Sequence, residues 1–86
     1  MIEQRKFECE GYLAGVFGIK SDGKKYIYLW FSSGDLFLVD GDSLKQLSQL
    51  ALDNCTISQM IAFKNTELIL ASCSNGTLLV LSGPQS

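Results

Sequence analysis

The stretch "LILASCSNGTLLVLSG", Leu68 to Gly83, decides how this chain folds. Two apolar runs flank an Asn-Gly pair, the strongest short-range hairpin signal. The expected turn carries positive φ at both central residues, Asn75 and Gly76. Neither run alternates apolar with polar residues, as a strand with one wet face should. A hairpin with so short a turn is antiparallel, and a free antiparallel sheet usually shows one face to water. The pattern therefore predicts a sheet covered on both sides.

Working outward, the same design recurs upstream. "YLAGVFGI" (12–19) and "YIYLWF" (26–31) flank the turn "SDGKK", and "SSGD" leads into "LFLV" (36–39). Tyr26 to Phe31 is unbroken apolar and rich in aromatics, which favours strand over helix. "TISQMIAF" (56–63) then precedes the closing hairpin. The two halves superimpose: "SSGDLFLVD" at 32–40 lies over "SNGTLLVLS" at 74–82, and Tyr26-Ile27-Tyr28-Leu29 over Leu68-Ile69-Leu70-Ala71, both offset by 42 residues. Ile19 and Phe63 play matching parts if the second half has a turn two residues shorter. A period near 42 with several strands per period points to propeller blades, whose sheets cover one another face to face. The innermost strands would be "LAGVFGI" and "ISQMIAF", with small residues at Ala14, Gly15, Gly18, Ser58 and Ala62. "KFECE" alternates like an outer strand with one wet face.

Composition sets bounds on this reading. The chain has 86 residues, enough for one small domain or a piece of a larger one. Apolar residues make up 47% and charged residues only 19%, against a usual ~25%. Some of that apolar surface calls for cover from outside the chain. The net charge of −2 argues against a nucleic-acid partner, and the Lys20, Lys24 and Lys25 cluster reads as solvated turn residues. Cys9, Cys55 and Cys73 are odd in number and lack CxxC spacing, so reduced thiols in a cytosolic or nuclear protein are the simplest expectation. No apolar run approaches the ~20 residues of a membrane-spanning helix, and "MIEQRKFECE" does not read as a signal peptide. Asn54-Cys55-Thr56 and Asn75-Gly76-Thr77 fit the glycosylation pattern but are read as chance matches.

"VFGIKSDGKKYIYLWFSSGDLFLVD" resembles the body of one WD repeat and "MIAFKNTELILASCSNGTLLVLS" the next. Val39-Asp40 would occupy the Trp-Asp position, with Leu81-Ser82 as its counterpart. The chain departs from the family in having no histidine, so the Gly-His pair and its His–Asp hydrogen-bond network are absent; Ser33-Gly34 and Asn75-Gly76 replace the turn Asp. The resemblance implies an all-β fold of two four-stranded antiparallel blades of a β-propeller. Residues 1–11 would form an N-terminal outer strand, 12–50 the first blade-like repeat and 51–86 the second. One segment offers a rival. "DSLKQLSQLALDN" places Leu44, Leu47, Leu50 and Ala51 at helical spacing, with Asp42 or Ser43 as N-cap. As a helix it would give a small α+β domain similar to the roadblock and longin-like families, which dimerise on GTPase-regulating scaffolds.

Catalytic chemistry finds few carriers. Without histidine, Ser-His and Cys-His nucleophile systems are excluded. Cys73 reads as a buried packing residue. Asp35, Asp40 and Asp42 surround a turn and lack the alternate spacing of a calcium loop. The glycines at 11, 15 and 18 form neither GxGxxG nor a P-loop. No catalytic, cofactor-binding or metal site is expected. Trp30, Tyr12, Tyr26 and Tyr28 divide between an interaction patch and a buried middle strand, with burial favoured for Trp30. The function that follows is a non-enzymatic protein–protein interaction scaffold, part of a propeller in a larger cytoplasmic or nuclear complex. Its open faces need protein partners or self-association, with no nucleic acid and no membrane. The alternatives are the α+β dimerisation module and a self-assembling, lectin-like two-blade ring.

Overall fold

The computed structural model describes residues 7, 10–52, 55–62 and 68–82. Among the described residues seven strands follow one another: β1 (Leu13–Ser21), β2 (Lys24–Phe31), β3 (Asp35–Asp40), β4 (Gln46–Ala51), β5 (Ile57–Ala62), β6 (Leu68–Cys73) and β7 (Leu78–Ser82). They form two antiparallel meanders, a four-stranded sheet ordered β1-β2-β3-β4 and a three-stranded sheet ordered β5-β6-β7. The protein is therefore all-β. The second sheet has three described strands where four were expected. The expected outer strand at 1–11 and the match of Phe63 to Ile19 lie largely outside the described residues.

The fourth strand expected in the first blade is present, and the helix that the α+β alternative placed over 43–53 does not form. Gln46–Ala51 pairs with β3 instead, Leu36 opposite Leu50 and Leu38 opposite Ser48. A register shift between Leu38 and Val39 absorbs one extra residue on β4. The leucine spacing is overridden because β3 offers this segment a complete ladder of backbone partners, whereas a short isolated helix is marginal in water. The α+β alternative falls with the helix.

The repeat extends into backbone detail. Ser32 N–H donates to the Tyr12 carbonyl at 2.8 Å, and Ser74 N–H to the Thr56 carbonyl at 2.9 Å. The register shift between Leu13 and Gly15 on β1 recurs between Ile57 and Gln59 on β5. Gly34 N–H closes a turn onto the Phe31 carbonyl (3.0 Å), and Gly76 N–H does the same onto Cys73 (3.1 Å). Only the glycine of each turn has positive φ, 98° at Gly34 and 88° at Gly76. The Asn-Gly hairpin is thus not the turn expected, with both central residues at positive φ. Asn75 serves through its side chain, whose Oδ1 accepts the Thr77 N–H at 3.1 Å. The turn with two consecutive positive φ values lies elsewhere, at Asp22 (50°) and Gly23 (78°).

The sheets stack face to face and approach most closely at β1 and β5. The front of the first sheet carries Phe17, Ile19, Tyr28, Trp30, Leu36 and Leu38. It packs on the rear of the second sheet, which carries Ile57, Met60, Ile69, Ala71 and Cys73 with Leu79 and Leu81. A separate cluster covers the rear of the first sheet, where Leu29, Phe31, Phe37 and Val39 pack with Ile27 and Phe7. Phe37 is only 1% exposed, and its ring meets those of Phe7 and Phe31 at centroid distances of 5.5 and 5.4 Å. The unbroken apolar run of β2 is explained: both of its faces are covered.

Candidate functional site

The front of the second sheet is the one broad apolar face left open among the described residues. Alternation along a strand assigns its members. Ile69, Ala71 and Cys73 point rearward, so Leu68, Leu70 and Ser72 point forward. On β7, Leu79 and Leu81 go to the rear and Leu78 and Val80 to the front; β5 adds Gln59 and Ile61, paired with Ser72 and Leu70. Leu78 is 63% exposed and Val80 59%, with Ile61 and Leu68 also exposed. A groove of about 190 Å³ runs across this face between Gln59, Ile61, Leu70, Ser72 and Leu78. Contiguous apolar surface of this kind marks interaction sites.

The repeat explains the groove. Ser72 stands 42 residues after Trp30, and Gln59 stands 44 after Gly15. In the first sheet Trp30 is buried and lies across Gly15, so closely that a Cβ there would fall 2.1 Å from Cζ2. In the second sheet the serine leaves that volume empty. Its hydroxyl instead meets the Ser58 hydroxyl at 3.0 Å. Polar character is confined to Ser72 and Gln59, and the remaining lining is aliphatic.

The aromatic residues separate as burial dictates. Trp30, Tyr26 and Tyr28 are core residues, and burial raises the Tyr28 phenol above its ordinary pKa. Tyr12 alone of the four is open to solvent, at 72% exposure. The Trp30 Nε1 is buried without a hydrogen-bond partner. The acidic residues serve turns. Asp40 Oδ1 accepts the Asp42 N–H at 2.7 Å and the Ser43 N–H at 3.0 Å. The Ser43 and Asp42 bonds hold its carboxyl below the usual carboxylate pKa. Ser33 donates to Asp35 at 2.8 Å. Asp42 and Lys25, both exposed, sit 4.0 Å apart. Among the described residues no group of three or more His, Cys, Asp or Glu is placed to hold a metal ion, and no helix is long and apolar enough to cross a membrane.

The cysteines depart from expectation. Cys55 and Cys73 form a disulfide with Cα atoms 5.6 Å apart. An odd count hid this, because pairing two cysteines leaves one over, and Cys9 lies outside the described residues. The pair arises from register: Ile57 lies opposite Cys73, and Cys55 is two residues before it on the approach to β5. Nothing in the spacing of 18 residues announces it.

The chain matches no protein-family model, no curated protein and no solved structure.

Proposed function

We propose that this chain is a non-enzymatic protein–protein interaction module, two blade-like sheets of a WD-repeat-like β-propeller that work within a larger assembly. One observation carries the reading: two sheets with repeated turns, bulges and backbone bonds stack in the same sense, and the stack ends on an uncovered apolar face. A propeller blade is a sheet of this kind, covered on both sides by its neighbours. The close approach of β1 to β5 fits blades that converge on a central axis. The Cys55–Cys73 bond fits an oxidising compartment better than the cytosolic or nuclear setting read from the sequence.

The test compares the chain with Leu78→Lys for binding of an apolar-surface dye and for solution mass. The native chain is expected to bind dye or associate, and Leu78→Lys to do neither while melting within a few degrees of the original. Surface substitutions on an open face change stability by only about ±0.5 kcal/mol. A native chain that stays monomeric and ignores the dye would overturn the proposal. So would a lysine variant that unfolds, since Leu78 would then belong to an internal core.

A further inference from the structure

The two sheets differ at their outer margins. The first ends on β4, whereas among the described residues the second ends on β7. The repeat shows what the edge of β7 offers. In the first sheet Asp40 N–H donates to the Lys45 carbonyl at 2.9 Å, and the Gly34 carbonyl accepts the Leu52 N–H at 2.8 Å. Outward backbone groups alternate along an antiparallel strand, so they fall at residues 34, 36, 38 and 40. Their equivalents 42 residues on are Gly76, Leu78, Val80 and Ser82. Among the described residues no strand meets the N–H and C=O groups that Leu78 and Val80 turn outward. Such an edge is a template for one more strand.

A second observation lies on the other sheet. β5 stands closest to β1, and Leu79 and Leu81 of β7 share the intersheet core with Leu36 and Leu38 of β3. The place beyond β7 therefore lies over β4, and there a strip of the first sheet's front is bare. Leu36 is 5% exposed, yet Leu50, its partner across the ladder, is 48% exposed and Leu47 is 47%. A cleft of about 540 Å³ opens beside them, lined by Tyr26, Leu38, Leu47 and Ser48 and rimmed by Lys25 and Asp42. Leu79 and Leu81 are themselves only half-buried, where their equivalents Phe37 and Val39 are each 1% exposed. β4 cannot fill the place, because it is bound to β3. One extended segment answers every deficit at once: its backbone completes the β7 ladder, and its inward side chains cover the leucines of β4.

We infer that the outer edge of β7 accepts, in antiparallel register, an extended segment of a partner protein as long as β7 itself, five residues, with apolar side chains opposite Leu79 and Leu81. Residues directly opposite one another share a face of the sheet. Those two positions therefore point rearward onto Leu47 and Leu50, and the positions opposite Leu78 and Val80 point forward. The docked strand continues the intersheet core and leaves the front of the second sheet open. The inference rests on the interaction-module reading and names the chemistry of one partner.

The experiment titrates the full chain into a short fluorescent peptide that alternates leucine and threonine and is N-methylated at its leucines. Only the threonine edge of that peptide can pair, which sets its leucines opposite Leu79 and Leu81. It should bind at least about tenfold more tightly than the peptide methylated at its threonines instead. Val80→Pro removes one outward N–H and spares the bonds to β6, as proline does on an edge strand. That variant should keep its fold and lose at least about tenfold in affinity, whereas Val80→Ala should bind as the native chain does. A benzophenone photo-cross-linker in place of Leu50 should join the peptide, and one in place of Leu70 should not. Three results would overturn the inference: no preference between the two peptides, cross-linking from position 70 and not from 50, or no binding at all. In the last case, dye binding by the native chain that Leu78→Lys abolishes would leave the module reading standing. Without that dye binding, both would fall.

Discussion

Gly15 is where a single methyl group tests the packing between the sheets. Its φ is not positive, so alanine fits the backbone. On backbone grounds alone Gly15→Ala should stabilise by roughly 0.4–1 kcal/mol, by restricting the unfolded chain. The indole of Trp30 reverses the sign. A Cβ at position 15 would lie 2.1 Å from Cζ2, 2.2 Å from Cε2 and 2.6 Å from Nε1. Carbon atoms prefer roughly 3.5–4.0 Å, so the ring must retreat by about 1.5 Å. It has little room to do so, being buried among Tyr28, Leu36, Ile57 and Ala71 in the intersheet core. Overpacking of this kind costs roughly 1–3 kcal/mol, and the net loss is about 1–2 kcal/mol.

For a domain of this size each kcal/mol moves Tm by roughly 4–8 °C, so Gly15→Ala should melt about 5–15 °C below the native chain. The assay is thermal unfolding by far-ultraviolet circular dichroism of the native chain, Gly15→Ala, Trp30→Phe and the double variant. Phenylalanine lacks the part of the indole that lies over Gly15. In its background the alanine should be neutral or stabilising, giving a coupling of at least about 1 kcal/mol. A Gly15→Ala chain that melts at or above the native temperature would refute the placement of Trp30, and with it the origin of the groove at Ser72.

Two further predictions concern the second sheet and the turn that follows β3. Unfolded without reductant, the chain should alkylate at one thiol, and after reduction at all three cysteines. Reduction should lower stability by about 3 kcal/mol, from release of a loop of 18 residues, read as a fall in the urea midpoint. Alkylation at all three without reductant would refute the pairing. Asp40 has a depressed carboxyl pKa in the fold, so its stabilising contribution is full above its unfolded pKa of about 3.9 and is lost as pH falls through the folded value. Nuclear magnetic resonance titration should place Asp40 below an ordinary aspartate. Asp40→Asn, which keeps the Oδ1 acceptor, should hold the turn while removing that part of the pH dependence.

What the sequence revealed and what it hid divide along physical lines. The hairpin at 68–82 and the 42-residue repeat were legible because turn chemistry and apolar runs are local properties. The repeat also predicted double coverage of the middle strands, which holds for β2 and for much of β3 but fails for β6 and β7, whose front faces are open within the chain. Where the reading erred or stayed open, a distant partner decided the outcome. Gln46–Ala51 allowed a helix on leucine spacing beside the fourth strand of a blade, and the ladder offered by β3 decided for the strand. Cys55 and Cys73 met through the register of β5 on β6, which no spacing encodes. The open face was hidden in a subtler way. Ser72 reads as an ordinary strand serine until the repeat sets it against Trp30 and the structure shows what the tryptophan fills.

That exchange of Trp30 for Ser72 makes the two sheets unequal in stability, and amide hydrogen exchange should show it. Both β2 and β6 are central strands with antiparallel neighbours on each side, so ladder bonding alone predicts similar protection. Burial does not. β2 is covered on its front by the second sheet and on its rear by the Phe7–Phe37 cluster, whereas β6 has cover on its rear alone. Exposed apolar faces and wet backbone hydrogen bonds lower the free energy of local opening. The amides of β6 and β7 should therefore exchange faster than those of β2 and β3, with the part of β6 next to Cys73 slowed by the disulfide. In an associated sample the order should narrow, because docking covers Leu70, Leu78 and Val80. Equal protection of β2 and β6 in a proven monomer would mean that the front of the second sheet is covered within one chain, and both the groove and its partner would have to be abandoned.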